Sequence, residues 1–181
     1  MRFIPWALVL FLLVLGPVLL AVAAHTPGGW LVLALALAVL SDIFDGKIAR
    51  RLGCATPALR QADSVVDVCF WLCVLGAALR RAPDVFASHI PVIAALLLAE
   101  LACQALCFAR FRRPVATHTY FAKSWGLVLF AGFAWMFCSP AALAIQITCL
   151  YGIAVDTEIF AILLRAKTYP VDVKSLTALP A

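Results

Sequence analysis

Apolar residues run through this chain in long, nearly unbroken stretches, with neither the alternation of a half-buried strand nor the narrow stripe of a surface helix. Stretches at residues 3–23, 29–49, 59–79, 86–109, 120–138 and 141–164 are each long enough to cross a hydrocarbon core of about 30 Å as a helix. Between them stand Pro27 with Gly28 and Gly29, then Pro57, Pro83, Pro114 and Pro140, where one helix should end and the next begin. The pattern predicts an all-α fold, a polytopic membrane protein of six transmembrane helices. These form one membrane domain over residues 1–168, followed by a short, weakly periodic cytoplasmic tail over 169–181. The sequence shows no internal repeat and no low-complexity segment.

Composition agrees with this pattern. Of 181 residues, 66% are apolar and 13% charged, and mean hydropathy is +1.07, which leaves no room for a soluble domain. The first stretch is longer than the central region of a signal peptide, and no small-residue cleavage site precedes His25, so it is expected to stay as a span. An even number of spans then puts both termini on one side. Arg2, the 47–51 cluster with Arg60, the 110–113 cluster, and Arg165 with Lys167 share that side, whereas the opposite loops hold only Arg80 and Arg81. Both termini, the polar ends of the second and third spans and the loop after the fourth are therefore expected to be cytoplasmic. The net charge of +5 follows mostly from this bias and from attraction to anionic lipid, and it requires no nucleic acid.

Seven cysteines do not make a disulfide framework. Cys69, Cys73, Cys103, Cys107, Cys138 and Cys149 lie in or at the ends of apolar spans and read as small buried hydrophobes, while Cys54 falls in a cytoplasmic loop. His25, His89 and His118 are dispersed and form no metal-ligand or Ser/His/Asp constellation. Glu100 and Gln104 stand one turn apart in the fourth span, and Asp156 and Glu158 lie well inside the sixth, where an unpaired charge is costly. Lys123 is the expected ion-pair partner of Asp156 or Glu158.

The chemistry concentrates in SDIFDGKIARR at the end of the second span. Asp42, Asp45, Gly46, Ala49 and Arg50 fall within an arc of roughly 140° on a helix, so two carboxylates, two small residues and a guanidinium share a face. After a short basic loop, Asp63 and Asp67 stand at i and i+4 on the next helix, about 40° apart. Four carboxylates brought to adjacent helices repel unless cations lie between them, which points to divalent metal.

The run Asp42-x-x-Asp45-Gly46-x-x-Ala49-Arg50, followed by Asp63-x-x-x-Asp67, resembles the signature of the CDP-alcohol phosphatidyltransferase family. That signature reads D-x-x-D-G-x-x-A-R, eight residues, G-x-x-x-D-x-x-x-D, and seven of its eight fixed positions match without a gap. Leu59 is the departure, standing where the family has its second glycine. HTYFAKSWG and DTEIFAILLRAKTYPVDVKSL also resemble segments of bacterial members.

The resemblance implies a six-helix enzyme of phospholipid biosynthesis in the inner membrane, a homodimer with its active site facing the cytoplasm. Such an enzyme transfers a phosphatidyl or substituted phosphoryl group from a CDP-linked donor such as CDP-diacylglycerol to a small alcohol acceptor, releasing CMP. It implies Asp42, Asp45, Asp63 and Asp67 as ligands of Mg²⁺ or Mn²⁺, two ions in all, with Asp67 also the general base. Asp42, Gly46, Ala49, Arg50 and Thr56 would contact the CDP moiety. Arg110, Arg112 and Arg113 remain open between binding a phosphate on the acceptor and serving as positive-inside anchors. The alternatives are a catalytically inactive relative that still binds nucleotide or lipid, favoured by Leu59, and an ion-coupled transporter. The transporter leaves Gly46, Ala49 and Arg50 unexplained, and the aspartates gather toward one face without forming a ladder across the membrane.

Overall fold

The computed structural model describes residues 4–51, 57–117, 119–139, 141–171 and 173–178, with side chains for all of these except 4, 5, 42, 45–51, 57, 58, 60, 61, 63 and 64. The described residues are helical and contain seven α-helices: α1 (Ile4–Val22), α2 (Gly28–Arg51), α3 (Pro57–Arg81), the short α4 (Pro83–Ala87), α5 (Ile90–Phe111), α6 (Tyr120–Cys138) and α7 (Ala142–Arg165). A single 3-10 turn, Leu176–Ala178, follows. Among the described residues α5, α6 and α7 are long and apolar enough to cross a membrane, and α1 and α2 carry shorter apolar stretches over Trp6–Val22 and Gly28–Ser41.

The fourth apolar stretch divides. Ser88 Oγ donates to Val85 O at 2.9 Å, and the His89 ring bonds the same carbonyl through Nδ1 at 2.7 Å. These side chains compete for a carbonyl of the preceding turn, so α4 ends and α5 starts afresh with a proline in its first turn.

The chain forms two compact units. In the first, Met1–Asp84 with Phe133–Pro140, α1 packs against both α2 and α3. Leu12, Leu35 and Val74, one from each helix, are fully buried. Gly16 lets α1 and α3 approach closely: a Cβ added there would stand 3.3 Å from Cys73 Cβ and 3.4 Å from the backbone of Phe70. Arg81 closes one end of this unit, donating to the carbonyls of Ala23 at 2.8 Å, Thr26 at 2.7 Å and Phe137 at 3.3 Å. It thereby satisfies chain-end carbonyls that a helix leaves without partners.

In the second unit, Val85–Gly132 with Ala141–Ala181, α5 packs against α7 around Cys103, Cys107, Val155, Ile159 and Leu163. Tyr151 of α7 joins α6, its hydroxyl 2.6 Å from Ser124 Oγ and its ring stacked on Trp125. Leu97, Leu98, Leu101, Phe108, Leu150 and Leu164 face outward on α5 and α7, the arrangement of helices whose solvent is lipid.

Two expectations need correction. Lys123 makes no ion pair with Asp156 or Glu158 among the described residues; its ammonium lies 5.7 Å from the Tyr120 ring centre. Asp156 is buried beside Glu100 with Oδ2 lacking a hydrogen-bond partner, and Glu158 Oε1 accepts from the Leu176 N–H at 3.4 Å. Lys123 sits in the first turn of α6, where its long stem reaches the ring one turn back more readily than the middle of α7. Cys103, Cys107 and Cys149 are buried as expected, but Cys69 and Cys138 are exposed and Cys73 is half-buried, all as free thiols. An outward-facing thiol costs little where the surroundings are apolar.

Candidate active site at the ends of α2 and α3

The backbone of α2 carries positions 42, 45, 46, 49 and 50 in its last turns, and α3 carries positions 63 and 67 in its first half. The side chains of Asp42, Asp45, Gly46, Ala49, Arg50 and Asp63 lie outside the described residues, as does Thr56 altogether. Of the expected carboxylates the structure therefore describes Asp67.

Asp67 is half-buried and lines a small cavity of about 20 Å³ with Leu12 of α1, Ala38 and Val39 of α2, and Phe70 and Trp71 of α3. Three helices thus converge at this carboxylate. Asp42 follows Ala38 by four residues and Val39 by three, so its register on α2 is that of the cavity wall, and Asp63 precedes Asp67 by one turn. A cavity of this size has room for about one water molecule. Leu59, at the position of the departing glycine, is 5% exposed and belongs to the core.

Among the described residues no three His, Cys, Asp or Glu side chains gather as a metal site. Asp67 is the one carboxylate among the residues that line the cavity, and its hard oxygens are of the kind that Mg²⁺ or Mn²⁺ accepts.

The three arginines at the end of α5 do different things. Arg110 spends its donors on protein: Nη1 bonds Leu163 O and, at 2.7 Å, Leu164 O, while Nη2 bonds Ala166 O at 3.1 Å. It caps the carbonyl end of α7, where a cation also complements the helix dipole. The guanidiniums of Arg112 and Arg113 lie over rings instead, 6.0 Å from the centre of Phe108 and 5.3 Å from that of Tyr169.

The family profile of CDP-alcohol phosphatidyltransferases matches residues 2–167, nearly the whole chain. The chain belongs to the CDP-alcohol phosphatidyltransferase family. Neither a curated protein nor a solved structure matches it significantly. Family membership with its apolar helices makes this a multi-pass membrane protein, a transferase of phosphate-containing groups in phospholipid synthesis. Members act on a CDP-linked donor and an alcohol acceptor, and they generally depend on divalent metal.

Sequence reasoning missed Tyr169, Thr117 and Thr119, which shape the segment after α5. Thr119 is fully buried and accepts the Ala122 N–H at 2.9 Å as the N-cap of α6. Thr117 donates to Pro170 O at 3.3 Å, and Tyr169 to Pro114 O at 2.6 Å. Only the N-cap was open to discovery from sequence, as a threonine before an apolar run.

Proposed function

We propose that this protein transfers a phosphatidyl group from CDP-diacylglycerol, or a closely related CDP-linked donor, to a small alcohol at the cytoplasmic face of the inner membrane, and that it works as a homodimer. The observation that carries this reading is the spacing of the four aspartates over α2 and α3, with Asp67 at a cavity that both helices line. Asp42, Asp45, Asp63 and Asp67 would hold Mg²⁺ or Mn²⁺. A divalent pair bound there would neutralise charge on the pyrophosphate and polarise its phosphorus.

The chain's own residues do the rest. Gly46 and Ala49 leave room on α2 for the nucleotide, Arg50 pairs with a phosphate oxygen, and Thr56 adds a contact to the CDP moiety. A carboxylate oxygen of Asp67 takes the proton of the acceptor hydroxyl as its oxygen bonds to the lipid-side phosphorus. The phosphorus–oxygen bond to CMP breaks, and CMP leaves with that electron pair.

The experiment is incorporation of isotope-labelled alcohols into chloroform-soluble product by purified protein with CDP-diacylglycerol and Mg²⁺ or Mn²⁺. The panel includes glycerol 3-phosphate, an inositol phosphate, serine and a lipid alcohol. Incorporation of one of these names the acceptor. Failure with every alcohol, with nucleotide still bound, would replace this reading with that of an inactive binder.

A further inference from the structure

The chain after α7 does not run away from the domain. It folds back on the segment joining α5 to α6 through Tyr169 Oη on Pro114 O at 2.6 Å, Thr117 Oγ1 on Pro170 O at 3.3 Å, and the Tyr120 N–H on Lys174 O at 3.1 Å. The last of these satisfies the first free N–H of α6, while Thr119 satisfies another, so the fold-back is built into the start of that helix. The Tyr169 ring also meets Phe111, with centres 5.9 Å apart, and lies beneath Arg113.

This packing bears on the two arginines. Arg112 is the one non-glycine residue with positive φ among the described residues, at φ 55°, ψ 31°, and its N–H caps α5 by bonding Phe108 O at 2.9 Å. The left-handed conformation costs roughly 1 kcal/mol for a side-chain-bearing residue, so the surroundings must hold the turn. Both guanidiniums lie over rings, and neither makes a hydrogen bond through its N–H groups among the described residues. A guanidinium held over an aromatic ring without hydrogen bonds to protein keeps its N–H donors for an oxyanion, with less freedom to lose on binding. Arg110, one turn back, has its donors committed to carbonyls and cannot do the same.

We propose that Tyr169 is a positioning residue for a phosphate-binding site made by the N–H edges of Arg112 and Arg113, so that the segment after α7 completes this surface. The ligand is a phosphate oxyanion, carried either by a soluble phosphorylated alcohol or by a lipid headgroup. The inference rests on the reading of this basic loop as an anion site rather than a membrane anchor.

The test uses full-length protein in phosphatidylcholine nanodiscs and an arginine-directed dicarbonyl, phenylglyoxal, with labelled residues located by peptide mass spectrometry. Inorganic phosphate is the probe. In the wild-type protein Arg112 and Arg113 should label and be protected by phosphate, whereas Arg110 should stay unlabelled. Tyr169→Leu should raise the phosphate concentration for half-protection of Arg113 by roughly fivefold or more, because the ring that orders it is gone. Tyr169→Phe keeps the ring and loses only the bond to Pro114, so it should stay within about twofold of wild type.

A purely structural tyrosine would lower the melting temperature without moving half-protection, and that result would overturn the proposal while leaving the anion site intact. Absence of phosphate protection in the wild-type protein would overturn the anion reading and the proposal with it. Protection without added phosphate, seen only in discs containing phosphatidylglycerol and lost in Tyr169→Leu, would support the proposal and name the headgroup as the source.

Discussion

At the scale of single residues, Leu59 and Arg110 each have a role in the fold that their place in the sequence does not announce. Leu59 stands at a glycine position of the family signature yet is 5% exposed and part of the core. Leu59→Gly is therefore expected to destabilise the protein by about 2–4 kcal/mol, from the cavity left behind and the added backbone freedom. Thermal unfolding in detergent measures this, and an unchanged melting temperature would show that the leucine fills no needed space. Arg110→Ala removes three carbonyl bonds at the end of α7 and should cost about 1–3 kcal/mol, while leaving phosphate protection of Arg113 within about twofold. Sequence alone placed Arg110, Arg112 and Arg113 together because it records charge and spacing; what Arg110 and Arg113 touch depends on the end of α7 and on Tyr169, more than fifty residues away, whereas Arg112 lies over Phe108 one turn back.

At the scale of elements, the apolar runs made the helices legible. The stretch 120–138 has the same bounds as α6, and 141–164 differs from α7 by one residue at each end, because length and punctuation are strong signals for spans. The break between α4 and α5 was missed although Ser88, His89 and Pro91 interrupt the apolar run there, because two polar residues and a proline do not by themselves end a span, whereas the bonds of Ser88 and His89 to Val85 O do end α4. The N-cap at Thr119 predicts that Thr119→Ala lowers stability by about 1 kcal/mol, read by thermal unfolding, and that Thr119→Ser recovers most of it. Gly152 of α7 sits where an added Cβ would come 2.7 Å from Leu96 Cδ1 and 2.8 Å from the Trp125 ring. Gly152→Ala should therefore displace the rigid Trp125 ring, Leu96 being able to turn aside, and cost about 1–3 kcal/mol, again as a lowered melting temperature.

At the scale of the whole molecule, family membership over residues 2–167 and outward-facing apolar helices establish a multi-pass membrane transferase. The motif was the most legible part of the chain because its spacing follows helical geometry that any member must respect. The fold-back after α7 was the least legible, since its bonds join residues 53 and 55 apart through carbonyls that carry no sequence signature. The central claim is that the aspartates of α2 and α3 cleave a CDP-linked donor. The most direct test is CMP release from CDP-diacylglycerol by the purified full-length protein, with a panel of alcohols, with and without Mg²⁺ or Mn²⁺, beside Asp63→Asn and Asp67→Asn. The account predicts release that needs divalent metal and one alcohol, and that falls by roughly a hundredfold or more in both variants. Release that persists at the wild-type rate in Asp63→Asn and Asp67→Asn would contradict it.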